Sequence, residues 1–180
     1  MAVLQLVLGP DPILKQTAAP VDEITDEIKT LVADMFDTLY ERKGLGIGAN
    51  MVGALQRIVV VDLQENGEKK PLACINPEII WCSDKLESRE EASLCFPGIS
   101  ADVKRPEAVK VRFQDLDGKT HEIEANGWFA TVLQHEIDYL DGKIYLDYLS
   151  KMKRDRLIKK MQKQIRSHSC GDPSCGHDHH

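Results

Sequence analysis

The stretch that decides the expected fold is QHEIDY at residues 134–139. It falls in a segment that predicts a helix, which begins at residue 126 or 127 and ends before Gly142. On a helix, positions 135 and 139 share one face. In the pattern H-E-x-x-H, two histidines so placed bind one metal ion while the glutamate acts on a water molecule. Here His135 and Glu136 fit that pattern, but Tyr139 stands at the second histidine position.

Periodicity outside this helix predicts one α+β domain. Apolar residues at three- and four-residue spacing predict helices over residues 22–40 and 148–166. The β-branched run at 58–61 and the segment 71–80 predict strands, and the alternation at 109–113 with the turn Asp117-Gly118 predicts a hairpin of 109–113 and 119–125. The expected domain covers residues 1–166, and residues 167–180 form a polar tail with no linker or repeat before it.

Composition places the chain among ordinary globular proteins. It has 180 residues, 42% of them hydrophobic, and a net charge of -6. No run of apolar residues is long enough to span a membrane, and the N-terminus lacks the pattern of a signal peptide, so we expect a monomer in the cytoplasm with no membrane contact. The five cysteines are irregularly spaced, which argues against a disulfide framework.

Two further segments contain motifs that add to the one at residues 134–139. Residues 44–51 read GLGIGANM and residues 91–97 read EASLCFP. With residues 134–139 they match, in order and spacing, the blocks G-x-G-x-A-A-x-Q, E-G-C-L-S and Q-H-E-x-D-H of the peptide deformylases. From about residue 3 to residue 166 the chain resembles that family. The resemblance implies the deformylase α+β fold, with antiparallel sheets packed around the helix at 134–139 and an amphipathic C-terminal helix. It also implies hydrolysis of the formyl group from N-terminal formylmethionine of nascent chains.

The resemblance implies a site that holds Fe(II), Zn or Ni through two histidines and a cysteine. His135 matches one ligand, Ser93 stands where the cysteine is expected, and Tyr139 stands where the second histidine is expected. Serine and tyrosine hydroxyls are poor ligands at neutral pH because they stay protonated. We therefore expect metal binding at this site to be weak or absent, with Met51 and Tyr139 filling the pocket.

The family also implies roles in catalysis and substrate binding. The catalytic positions are Glu136, Leu94 and Met51, and the substrate-binding positions are Gly46, Leu94 and Arg105. A glutamine at position 51 would donate to the developing oxyanion, whereas methionine has no donor. Two alternatives stay open: the glycines around Gly46 form only a flexible turn, or Arg105 is only a surface charge.

Two functional hypotheses follow, so the sequence alone leaves open whether the chain is an enzyme. In the first, it is a deformylase-like protein with reduced or lost activity that binds nascent peptides without hydrolysing them. In the second, it is an active deformylase or a related amidase with an altered ligand set of His135, Glu136 and Cys95. The second requires residues 93 and 95 to face the same side of one extended strand.

The C-terminal region carries two separate signals. Residues 151–166 hold eight basic residues and one acidic residue, which predicts either a solvated helix face or, by resemblance, a contact with the ribosome. The tail is rich in cysteine and histidine side chains, which are soft or borderline metal ligands and predict binding of Zn, Ni or Cu. Those side chains are His168, Cys170, Cys175, His177, His179 and His180. The alternative is that the last residues of the tail are an expression tag.

Overall fold

The computed structural model describes residues 2–169, and a nearly buried helix lies at their centre. This helix, α2, spans Gly127–Leu140, and ten of its fourteen residues are buried. A helix whose side chains are apolar or hydrogen-bonded on all faces lies in the protein interior. The carbonyl of Leu140 at its end accepts from the side chain of Arg57 at 3.2 Å and from the backbone N–H of Ala18 at 2.8 Å. The predicted central helix is therefore confirmed.

Seven strands form two antiparallel sheets around α2. The larger sheet has the order β1-β2-β3-β6-β7, and the smaller one is the hairpin β4-β5. The strands of the larger sheet are β1 (Gly46–Gly48), β2 (Ile58–Val61), β3 (Leu72–Cys82), β6 (Ala108–Gln114) and β7 (Thr120–Asn126). All four strands expected from periodicity lie in this sheet, within two residues of their predicted ends.

Periodicity did not predict the short strand β1 or the hairpin. The hairpin consists of β4 (Leu86–Ser93) and β5 (Phe96–Pro106), joined by a two-residue turn at 94–95. The β4 sequence lacks the β-branched and aromatic residues typical of strands. In β5 the buried residues Phe96, Ile99 and Val103 recur at three- and four-residue spacing, which is a helical period. Its strand character therefore depends on pairing with β4.

The outer helices differ from their predictions at their ends. Helix α1 spans Asp26–Glu41 and begins four residues later than predicted, where the Thr25 hydroxyl accepts from the N–H of Ile28. Helix α3 spans Lys151–Ser169, so it also contains residues 167–169, which we had assigned to the tail.

The predicted apolar stripe of α3 holds only in part. Met161 is fully buried and Leu157 packs against the core, whereas Met152 is 71% exposed and Ile165 is 40% exposed. The short 3-10 turn at 145–148 precedes the helix and includes its predicted first residue, Tyr148, so that α3 begins three residues later than predicted. The helix therefore contacts the domain along a narrow seam only.

Two hydrophobic clusters flank α2. One contains Met51, Phe96 and Tyr139 and extends to α1, and the other contains Ile137, Val59 and Val61 of β2 and the valines of β6. Neighbouring residues of α2 thus belong to different clusters. The helix is held from both sides, so its functional side chains are placed by packing.

A buried carboxylate joins α1 to the loop before β1. Asp62 accepts from the hydroxyl of Tyr40 at 2.7 Å and from the backbone N–H of Gln64 and Lys70, while its own N–H donates to the carbonyl of Leu45 at 2.9 Å. Burial alone would raise the pKa of Asp62, but the Tyr40 hydroxyl and the two backbone donors outweigh it and lower that pKa.

We expect Tyr40→Phe to reduce the free energy of unfolding at pH 7 by about 1.5–3 kcal/mol, because the charged Asp62 loses its donor. The folded pKa of Asp62 is depressed, so its contribution is present above the unfolded pKa and is lost as pH falls through the folded pKa. Urea unfolding at pH 7 and at pH 2 measures the difference. An equal loss at both pH values would contradict this account.

Candidate functional site

A cleft of about 340 Å³ lies between the segment before β1, the end of β4 and one face of α2. Trp128 stands at its mouth with 48% of its surface exposed. His135 and Glu136 face it from α2. The other lining residues are Lys43, Gly44, Leu45, Gly46, Glu90, Glu91, Ala92, Ser93, Leu94, Thr131 and Val132. The sequence blocks that seemed separate thus converge on one cleft.

The glycines of this cleft are required by close packing. A Cβ atom at Gly46 would lie 2.8 Å from Cγ of Glu136, and one at Gly44 would lie 2.8 Å from a methyl carbon of Leu94. Gly46 belongs to β1 and pairs with Val61. The alternative that these glycines form only a flexible turn is therefore wrong for Gly46.

Glu136 is an incompletely paired buried carboxylate at the floor of the cleft. The residue is 5% exposed, and its Oε2 has no hydrogen-bond partner within residues 2–169. Its Oε1 lies 4.0 Å from Nε2 of His135. Burial raises the pKa of Glu136 to about 7, against the opposing effect of His135. A buried carboxylate with an open oxygen is a functional-site signal.

His135 is oriented by a second carboxylate. Its Nδ1 lies 2.8 Å from Oε1 of Glu91, and the Nδ1–H group donates a hydrogen bond to that carboxylate oxygen. Its ring stacks on Tyr145 with ring centres 5.5 Å apart. With Nδ1–H donated to Glu91, the other nitrogen, Nε2, is directed toward Glu136. His135 is thus a hydrogen-bonded histidine that also lines the cleft.

A buried ion-pair network lies behind His135, and sequence reasoning missed it. The guanidinium of Arg105 donates to both oxygens of Glu91, at 2.7 and 2.9 Å, and to Asp138 at 2.7 Å. The hydroxyl of Tyr148 also donates to Asp138. Burial would raise the pKa of Glu91, but His135 and Arg105 lower it. The flanking acids of each block, Glu91 and Asp138, were the available sequence signal.

Arg105 is 3% exposed, so the alternative that it is only a surface charge is wrong. It is not among the residues that line the cleft, and its donors are directed at Glu91, Asp138 and Tyr148. Its expected role in substrate binding stays a prediction. Because an arginine between two acids is satisfied by them, its position here is structural.

Ser93 and Tyr139 are bonded to each other. Their hydroxyl oxygens are 2.5 Å apart. Tyr139 has no exposed surface, and burial raises its pKa well above the ordinary value. The phenol is therefore neutral at physiological pH, and the two hydroxyls satisfy one another.

Cys95 does not complete an altered ligand set. Ser93 ends β4 and pairs with Phe96 across the turn, so residues 93 and 95 do not lie on one extended strand. The Cys95 thiol is buried, and burial raises its pKa to about 12, so it is protonated. Within residues 2–169 no three His, Cys, Asp or Glu side chains are arranged to hold a metal ion. The geometry of the described residues therefore gives no support to the predicted ligand set of His135, Glu136 and Cys95, which stays a prediction.

The residues at the implied metal site do not fit a family metal. Of its three ligand positions only His135 presents a good donor, and the neutral hydroxyls of Ser93 and Tyr139 are already paired. Iron, zinc and nickel in such sites bind imidazole and thiolate, which must be deprotonated. The donor chemistry of this chain is that of a hydrogen-bonded core.

Met51 is the third position at which this chain departs from the family motifs. It is 1% exposed, lies in the hydrophobic core, and is not among the residues that line the cleft. Its sulfur accepts from the N–H of Gly48 at 3.3 Å. The side chain therefore fills space and accepts a weak hydrogen bond, and offers no donor to a substrate.

On a buried helix of this chain, a His-Glu pair faces a cleft that is bounded by an edge strand and a hairpin. This arrangement is that of α+β hydrolases whose sheets surround one central helix. A sequence model described as "Polypeptide deformylase" matches residues 3–155. A "Peptide deformylase-like" protein of Rickettsia conorii is 48% identical over 91% of this chain and 90% of its own. The peptide deformylase of Brucella suis is 45% identical over 91% of this chain and 94% of its own.

A solved structure agrees with the sequence comparisons. The crystal structure of peptide deformylase from Ehrlichia chaffeensis has a TM-score of 0.89 and 36% sequence identity, covering 93% of this chain and 99% of the other. The chain therefore belongs to the polypeptide deformylase family. The expected fold and resemblance are confirmed.

Other expectations stay predictions. His168 lies in the last turn of α3, exposed, with Nδ1 2.7 Å from the carbonyl of Gln164. The remaining tail donors, Cys170, Cys175, His177, His179 and His180, lie outside the described residues. No described helix is long and apolar enough to cross a membrane. The monomer and the ribosome contact are untested.

We expect Glu91→Gln to reduce the free energy of unfolding by about 3 kcal/mol, the low end of the range for breaking a buried ion pair, because Asp138 still pairs with Arg105. The matched control is Glu122→Gln, which removes an acid from the exposed pair with Arg112 and should cost less than about 1 kcal/mol. Chemical denaturation measures both. Equal losses would show that the buried network is not special.

Proposed function

We propose that this family member binds the N-termini of peptides without hydrolysing formyl amides efficiently. The observation that carries the proposal is the 2.5 Å hydrogen bond between Ser93 and Tyr139 at two of the three positions where the family holds its metal. Both hydroxyls are neutral and mutually satisfied, so they do not hold a cation.

Hydrolysis of a formyl amide needs an activated water and donors for the oxyanion. Glu136 is placed to act as a base, but a base alone supplies neither carbonyl polarisation nor an oxyanion donor. Met51 adds none, because a thioether has no proton to give. Of the three expected catalytic positions, the cleft retains Glu136 and Leu94 and lacks the donor at position 51.

The cleft itself suits an extended peptide. Strand β1 is an edge of the larger sheet, and residues of both β1 and β4 line the cleft, so a peptide strand can add between them. The volume of about 340 Å³ is enough for one side chain and its flanking backbone. Gly46 and Leu94 both line the cleft, which supports their expected substrate-binding role.

We expect formyl-Met peptides to be hydrolysed at least about a thousandfold more slowly than by a relative named peptide deformylase, such as the Brucella suis protein. Loss of an activated water and loss of the donor at position 51 both lower the rate of hydrolysis. Parallel measurements of kcat/KM under identical metal conditions test the expectation. A value within about tenfold of the relative would overturn the proposed function.

Restoring the ligands should restore metal binding cooperatively. Ser93→Cys together with Tyr139→His should raise Zn affinity by at least about tenfold beyond the product of the single effects, since the new ligands hold one ion. Adding Met51→Gln should leave that affinity nearly unchanged and raise turnover by about 10²–10³. Competition with a chelating dye measures affinity, with the parent chain as the baseline for metal held by the tail.

The matched control is Ser88→Cys combined with Tyr139→His, which adds the same thiol at an exposed position of the same strand. It should show no cooperative gain. If the triple variant binds metal and peptide yet stays inactive, the loss of ligands is not the main defect.

A further inference from the structure

The floor of the cleft carries an excess of negative charge. Glu91 and Glu136 line the cleft and Asp138 lies behind them, and these three carboxyl groups outnumber the single guanidinium of Arg105, which pairs with Glu91 and Asp138. Arg105 is directed at Glu91 and Asp138, so Glu136 is the acid that has no cationic partner of this kind within residues 2–169.

The position of Glu136 makes that charge available to a ligand. The side chain is more than nine-tenths buried and lines the cleft, and its Oε2 has no hydrogen-bond partner among the described residues. Burying an acceptor of this kind without a donor is costly, so a ligand that supplies one gains affinity.

We propose that the cleft selects peptides with a free α-ammonium group over formylated peptides, with Glu136 as the residue that recognises the charge. The inference rests on the proposed function, because it names the ligand of the same cleft. The ammonium group of the ligand's N-terminus would be the cationic partner of Glu136 at the floor of the cleft. The hydroxyls of Ser93 and Tyr139 there do not hold a cation.

The chemistry of the two termini favours this choice. An ammonium group offers three donors and a positive charge, and hydrogen bonds between charged groups are about twice as strong as neutral ones. A formylated terminus is uncharged and keeps a single N–H donor, and Met51 offers no donor to its carbonyl oxygen. The same floor therefore attracts the first terminus and disfavours the second.

Charges at the mouth require a controlled probe. Lys43 and Glu90 line the cleft and are exposed, and Arg89 lies over the ring of Trp128. Lys43 would attract a peptide carboxylate independently of the N-terminus. The probes are therefore Met-Ala-Ser amide and its formyl derivative, which differ only at the N-terminus.

Titration calorimetry of the full chain, at pH 7 with a chelator present, compares the two amides. We expect the free amine to bind at least about tenfold more tightly than the formyl derivative. Glu136→Gln should abolish this preference, because the amide keeps the shape of the side chain and removes its charge. Glu90→Gln, which removes the same charge from the exposed mouth, should retain the preference.

The outcomes separate the two claims. Equal or tighter binding of the formyl peptide overturns this inference and leaves the proposed function standing. If neither peptide binds, the proposed function fails and the inference fails with it. If Glu136→Gln and Glu90→Gln reduce the preference equally, the selection arises from the overall field and not from Glu136, which also overturns the inference. Circular dichroism confirms that both variants are folded.

Discussion

The buried ion pair between Glu91 and Arg105 is the constraint on which the rest of the site depends. It joins β4 to β5 across the hairpin, and through Asp138 it joins the hairpin to α2. The charges are expensive to bury, so each must keep its partners within hydrogen-bond distance. Since Glu91 also holds Nδ1 of His135, the same network orients the ring that faces the cleft.

The altered positions behave as one repacked unit. Ser93 and Tyr139 satisfy each other across the space between hairpin and helix, and Met51 fills the core beside them. Because the helix presents Tyr139 to the first hydrophobic cluster, a large phenol there is accommodated with no exposed surface. The scaffold around the family's reaction centre is retained, while the centre itself has the chemistry of a hydrogen-bonded core.

Much of the fold was predictable because its local patterns agree with its tertiary structure. The β-branched run of β2 and the alternation of β6 predict strands that the structure contains. The hairpin was not predictable in this way, since β4 is polar and the buried residues of β5 recur at a helical period. Its conformation comes from pairing between strands, which is a non-local interaction.

The sequence by itself determined the family, the central helix and the identity of the residues at the altered site, because these depend on residue type and spacing. The tertiary structure alone decided the pairing of Ser93 with Tyr139, the burial of Arg105 and the open oxygen of Glu136. Residue type specifies what a side chain can donate or accept. Its partners and its exposure to water depend on segments that are distant in sequence and meet only when the chain folds.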